Sequence, residues 1–327
     1  MTRSLAKTIM MLLSTTPLVA CGGGTGTNSV STGLPAATAG PPPAGFGGGT
    51  STAPPPTGFG GNTSTGTPAT PAASYKTYDQ LTGDQSFQAS SEGIDTRKPF
   101  TDRGAIYSPD IIDYSAATNT YTLTYTSVGK ETFLNGNDPV AGTTFNIKEF
   151  GAPGTFNYTR YAEYSRNRIS NTDIGLAVIG VPTLGTDQPA GVARFRSSAF
   201  VGTAARQEGD TSVLYGLGNS SFDMTVDFTA NTLDARLTLV GTPVAGGTDV
   251  ALGSWVHVNT GRNFAVESTL GFGGVLQRDA GSALVGGMRG KFYGPQAAEF
   301  GMAFDVTEKT GSTTTFVAVG VVAGRKQ

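Results

Sequence analysis

Cysteine occurs once in this chain, at Cys21, and histidine once, at His257. A single thiol excludes an intrachain disulfide and any thiolate metal cluster. One imidazole and no further cysteine leave only an all-oxygen metal site open. Charge is missing from a whole segment: residues 22–75 carry no Asp, Glu, Lys or Arg, yet hold half of the 18 prolines. Nor is there an excess of base, with Lys and Arg at 22 against Asp and Glu at 24, so the clustered cationic face that nucleic acid requires is not expected. No window beyond residue 76 shows a sustained helical stripe with caps.

The N-terminus carries what the rest lacks. Arg3 and Lys7 precede an apolar stretch at 9–13 that is too short for a permanent membrane helix. Leu18-Val19-Ala20-Cys21-Gly22 then has the form of a bacterial lipoprotein cleavage site, with small residues that let the peptidase reach the backbone and a thiol placed to accept a diacylglyceryl group. An ordinary secretory leader ending near a Cys is the alternative. Residues 1–20 are therefore expected to be a signal peptide and Cys21 the lipidated N-terminus. Removing the leader makes the chain two charges more negative than the whole chain's −2.

Residues 21–75 are expected to be a disordered tether. They contain a tandem duplication, Pro41-Pro-Pro-Ala-Gly-Phe-Gly-Gly-Gly-Thr-Ser-Thr-Ala53 and Pro54-Pro-Pro-Thr-Gly-Phe-Gly-Gly-Asn-Thr-Ser-Thr-Gly66. Two such units with one Phe each, Phe46 and Phe59, bury no core to offset the ordering entropy. A flexible linker of this length reaches roughly 40 Å, enough to hold a domain clear of a lipid surface.

From Lys76 onward the pattern is all-β. Asp110-Ile-Ile-Asp-Tyr-Ser115 and Thr120-Tyr-Thr-Leu-Thr-Tyr-Thr126 predict a hairpin about residues 116–119. Further strands are predicted at 145–148, 156–158, 161–164 and 174–181, the last ending at Pro182. Alternation returns at 193–201. In the hairpin 222–239, Met224, Val226 and Phe228 face Leu233, Ala235, Leu237 and Leu239. Segments 254–258, 263–267 and 313–322 follow. About eight short-looped strands favour closure into a small antiparallel barrel, which removes sheet edges.

Gly290-Lys-Phe-Tyr-Gly-Pro-Gln-Ala-Ala-Glu-Phe-Gly-Met-Ala-Phe304 reads as strand, turn and strand. Gly294-Pro295 breaks the first strand, residues 295–299 suit a helical turn, Gly301 can close it in a left-handed conformation, and alternation resumes from Met302. This stretch resembles the C-terminal signature of the transferrin-binding protein B-like lipoprotein barrels, although that family usually has a second Gly where this chain has Met302. Gly180-Val-Pro-Thr183 and Pro189-Ala-Gly-Val-Ala193 look like the point where those proteins pass into the barrel, and the 222–239 hairpin looks like their early barrel hairpin. The resemblance implies a β-rich handle at 76–184 and a barrel at 185–327. It also implies a lipoprotein of the outer membrane, anchored by lipid and exposed at the cell surface or facing the periplasm. Such a protein captures an extracellular protein or an iron-carrying ligand and is exported by an outer-membrane translocator. Transferrin is not carried over, since the known receptors have two lobes. A structural, adhesion or immune-evasion lipoprotein is the alternative.

Catalytic chemistry finds little support. His257 lies beside Trp255 on a predicted strand, no Gly-x-Ser-x-Gly elbow exists, and a wall position in the barrel is the expected role. Gly271-Phe-Gly-Gly274 leads to no helix and so cradles no phosphate. Asp223 and Asp227 alternate with an apolar face and are expected in solvent. Glu299 is expected to close one end of the barrel rather than bind a ligand. Phe150, Tyr158, Tyr161 and Tyr164 with Arg160, Arg166 and Arg168 suit either a half-buried sheet or a protein interface, with the sheet preferred. No enzyme activity, cofactor or metal is expected, and no binding residue can be named.

Overall fold

A computed structural model describes residues 74–95, 100, 109–125, 129–167, 172–258, 264–266, 269–279, 281 and 284–327. The leader, Cys21, the tether, Phe46, Phe59 and Arg168 lie outside the described residues. The described residues form one compact unit.

Its first half is a sandwich of two antiparallel sheets. The strands are β1 (Gln85–Gln88), β2 (Ser90–Asp95), β3 (Ile111–Ser115), β4 (Thr120–Tyr125), β5 (Gly129–Leu134), β6 (Gly136–Asp138), β7 (Thr143–Lys148), β8 (Thr159–Asn167) and β9 (Thr172–Gly180). One sheet runs β1-β3-β4-β5 and the other β2-β9-β8-β7-β6. The predicted hairpin is present as β3 and β4, with Asn119 in the left-handed region at φ 51°. Tyr121, Leu123 and Tyr125 alternate inward from β4 and meet Phe87, Ile112, Phe133, Phe145 and Tyr164 in a shared core. Tyr121 stacks on Phe145 at 4.3 Å between ring centroids. Burial pushes its hydroxyl pKa up to about 12.

The second half is β10 (Val192–Glu208), β11 (Thr211–Gly216), β12 (Ser221–Asp227), β13 (Thr232–Pro243), β14 (Val250–Val258), β15 (Phe264–Val266), β16 (Leu270–Arg278), β17 (Leu284–Tyr293), β18 (Glu299–Thr310) and β19 (Thr313–Lys326). Eight of them close a ring in the order β10-β12-β13-β14-β16-β17-β18-β19, which returns to β10. The expected barrel of about eight strands is therefore present. β11 extends the β10 hairpin and β15 flanks β16. The interior is solid: Phe195, Phe222, Phe228, Phe272, Phe292, Phe300 and Phe304 pack with Met224, Met288 and Met302. The expected 222–239 hairpin is present, with Val226 opposite Leu233 and Met224 opposite Ala235, and the register adds Phe222 opposite Leu237.

Two strands explain how the halves join. β9 is apolar without alternation because both its faces are covered. Ala177 and Ile179 enter the sandwich core, whereas Leu176 and Val178 pack against the barrel wall. β19 does the same from the other side. Phe316, Ala318 and Val322 point into the barrel, and Val321 and Ala323 point out at Leu176, Val178, Phe150 and Phe156. The inner handle sheet and the wall β17-β18-β19 thus share a dry layer.

Two expectations fail at this junction. Phe156-Asn-Tyr158 forms no strand, since β8 starts at Thr159 and the amides of Asn157 and Tyr158 bond a carboxylate instead of a ladder partner. Gly301 does not close a turn. It lies within β18, opposite Lys291, and strand pairing resumes at Glu299 rather than Met302. The turn is shorter because Gln296 and Ala297 themselves take left-handed conformations, at φ 51° and 54°.

The closing seam admits no side chain at Gly324. A Cβ there would stand 2.1 Å from the Arg196 carbonyl oxygen and 2.3 Å from the Phe300 ring. Gly324→Ala is expected to cost about 1–3 kcal/mol, the usual range for overpacking. It should lower the urea midpoint with an unchanged slope.

Candidate functional site

Glu299 is the first residue of β18, and its side chain is 3% exposed. Phe300 next to it points into the barrel, so Glu299 points out, towards the handle. There its carboxylate accepts from the amides of Asn157 at 2.7 Å and Tyr158 at 3.1 Å, and from the Thr159 hydroxyl at 2.9 Å. The turn before it is held as tightly. Asp187 accepts from the Gln296 amide at 2.9 Å, and the Thr183 hydroxyl donates to the Gly294 carbonyl at 2.6 Å. Gly294 is required, because at φ 71° a Cβ would meet the Tyr158 ring at 2.4 Å. Burial pushes the Asp187 carboxyl up, but the donors of Gln296 outweigh it and the net direction is down. Arg289 of β17 spans the same seam, donating to Glu92 of β2 at 2.8 Å. Both carboxylate oxygens of Glu299 are thus bonded by groups of this chain, the arrangement of a structural residue.

The handle cluster is also inward-facing. Phe150 and Tyr164 are buried, and Tyr158 and Tyr161 are half-buried. Arg160, 3% exposed, donates to the Phe156 carbonyl at 2.7 Å and to both oxygens of Asp79 at 2.8 and 3.0 Å. Arg166 meets Glu131 at 3.0 Å and the Tyr125 hydroxyl at 2.7 Å. These are the contacts of a packed sheet, not of an open interface.

His257 lies on the barrel-wall strand β14, as expected, with its Nδ1 2.9 Å from the Leu233 carbonyl oxygen. That contact assigns the proton to Nδ1. Among the described residues Nε2 is buried without a partner, and it rests against Gly274, where a Cβ would stand 2.1 Å away. Burial lowers its pKa, opposed in part by the Leu233 bond and the charge of Asp234. Asp223 is on the outer face and pairs with Arg196 at 2.9 Å. Asp227 caps the β12–β13 turn, accepting from the amides of Thr229 and Ala230 at 2.9 Å each.

The outer wall of β10, β12, β13 and β14 carries an open trough of about 680 Å³ that sequence reasoning did not single out. It exists because β12 presents short side chains, Asp223 and Thr225, between long ones. The register sets Arg194 beside Thr225 and then Asp234, and one row along sets Arg196 beside Asp223 and then Arg236. Arg236 pairs with Asp279. Among the described residues the side chains of Arg194 and Asp234 form no hydrogen bond or salt bridge, though the Asp234 charge acts on His257. The readable signal was Arg-x-Arg on one strand and Asp-x-Arg two strands away, both on the polar phase of the alternation.

No family model matches the chain, and no curated protein does. Among solved structures it is similar to a double mutant of transferrin binding protein B from Haemophilus parasuis, at 15% identity and a TM-score of 0.40, covering 76% of this chain and 45% of that one. Transferrin binding protein B from Neisseria meningitidis matches at 14% and 0.36, with 76% and 44% covered. A protein described as a surface lipoprotein matches at 12% and 0.34, with 74% and 98% covered. The match covers less than half the length of these two transferrin binding proteins.

His257 gives the barrel an acid-sensitive point. Its folded pKa lies below the ordinary 6.5, so the folded state binds fewer protons than the unfolded one. The stability it supports is complete above pH 6.5 and is lost as pH falls through 6.5 towards the folded value. His257→Asn keeps a donor for Leu233 without titrating. Between pH 7 and 5.5 the urea midpoint of the wild type should fall more steeply than that of the variant.

Proposed function

We propose that this chain is a lipid-anchored lipoprotein of the outer membrane, held at the cell surface, that captures an extracellular protein or an iron-carrying ligand without catalysing a reaction. The observation that carries the reading is Leu18-Val19-Ala20-Cys21 followed at once by a segment, 22–75, with no charge at all and then by one compact all-β unit. Cys21 would bear the lipid. One acyl chain contributes about 0.8 kcal/mol per buried CH₂ and holds only marginally, so stable anchoring takes further chains on the same residue. The uncharged tether then holds the folded unit clear of the headgroups. Gly22 rather than Asp after Cys21 favours the outer membrane, and reaching the surface would require a translocator there.

The barrel supports a binding role at its outer surface. Its lumen is filled by rings in contact, such as Phe195 with Phe292 at 5.2 Å and Phe272 with Phe292 at 5.0 Å, which leaves recognition to walls and loops. His257 has no hydroxyl or thiol within hydrogen-bond reach among the described residues, and its free nitrogen is enclosed.

Cells expressing the full chain should lose the folded domain to an added protease while a periplasmic marker survives. Cys21→Ala should release the domain from the membrane fraction. Full protection on intact cells would overturn the surface placement and turn the search to a periplasmic solute or an envelope-structural role.

A further inference from the structure

The wall that bears the trough starts at β10, which closes the ring beside β19, and runs on through β12 and β13; Ala199 and Val201 of β10 still pack on the handle, and Arg196 lies beside Arg325 of β19. Its two long-chain borders, β10 and β13, both run antiparallel to β12 and therefore parallel to each other. They stand two strand spacings apart, about 10 Å, with only Thr225 and Asp223 between. Along each border the polar side chains repeat every second residue: Arg194 then Arg196, and Asp234 then Arg236. That repeat is about 6.8 Å, which is also the spacing of same-side residues in an extended peptide.

We propose that this trough binds an extended, predominantly acidic peptide segment of the captured protein, lying along β12 with its side chains directed alternately at the two borders. The proposal rests on the protein-capture reading above and names the surface and the chemistry. Four successive ligand residues are specified. An acid faces Arg194, a base faces Asp234, an acid faces Arg196 and an acid faces Arg236. Arg194 and Asp234 are the unpartnered pair that gives direction, because only one polarity of the ligand sets both opposite charges against them. Arg196 and Arg236 are held by Asp223 and Asp279. Both pairs are solvent-exposed, so exchanging them for a ligand carboxylate costs little. The Thr225 hydroxyl and the Asp223 carboxylate on the floor are placed to meet the ligand backbone. A uniformly anionic chain fits less well, since Asp234 stands on its path.

The test is fluorescence anisotropy of the detergent-solubilised full chain with a labelled Gly-Glu-Lys-Glu-Glu-Gly peptide and its charge inverse, Gly-Lys-Glu-Lys-Lys-Gly. The first should bind saturably and weaken as salt rises, and the inverse should not bind. Arg194→Glu should weaken binding about fivefold, the upper size of an exposed ion pair. A peptide with Lys at its first charged position should recover the loss. Asp234→Lys should act alike and be rescued by Glu at the second position. Equal binding of both peptides, binding indifferent to Arg194→Glu and Asp234→Lys, or failure of the swapped peptides to rescue would overturn the proposal. So would a polyanion such as dextran sulfate binding where the acidic peptide does not. The readout uses synthetic peptides and purified protein, so it succeeds or fails independently of whether the domain faces the outside of the cell.

Discussion

A carboxylate buried at a protein–protein layer must find donors or lose several kcal/mol, and Glu299 finds three of them in a segment 140 to 142 residues earlier in the chain. That satisfaction runs both ways. Asn157 and Tyr158 leave their ladder positions to supply amides, so β8 cannot begin before Thr159. The turn that delivers Glu299 must be tight, which forces Gln296 and Ala297 into left-handed conformations that Asp187, Thr183 and the Tyr158 ring hold in place. Strain of this kind persists only where the surroundings over-determine it. Here they do, from both halves of the molecule.

The dry layer between the inner handle sheet and the barrel wall follows from the same anchoring. Leu176 and Val178 reach Val321 and Ala323 across it, and Arg289 with Glu92 borders it. One wall of the barrel is thereby committed to the handle. The lumen is committed to aromatic packing. What remains for recognition is the outer face of the other strands and the loops, and there the alternation of β10, β12 and β13 lays charged side chains in a regular lattice.

Much of this was legible in the sequence, for identifiable reasons. The two facing sets of the 222–239 hairpin could be named because Met224, Val226 and Leu237 alternate with polar neighbours on strands that are wet on one face. The number of barrel strands followed from the spacing of such runs. Segment 174–181 was recognisable as a strand but not as the layer between two cores, since an apolar run does not say what covers each face. The turn at 294–298 was legible as a short helical turn opening at Pro295, but not the left-handed conformations of Gln296 and Ala297, which depend on Asp187 and Tyr158 far away in sequence. Glu299 could be singled out as structural, but its partners could not be named. The trough needed register, since Arg194 and Asp234 become neighbours of Thr225 only when β10, β12 and β13 are aligned.

That handle and barrel form one cooperative body through Glu299 is tested most directly by urea unfolding followed with two probes. Fluorescence of Trp255, the single tryptophan, reports the barrel, and hydrogen exchange of the β8 and β9 amides reports the handle. The two transitions should coincide in the wild type. Glu299→Ala, which strands two amides and a hydroxyl, should lower both together by about 3 kcal/mol. A handle that opens at lower urea than Trp255 in the wild type, or a Glu299→Ala variant as stable as its parent, would contradict the account.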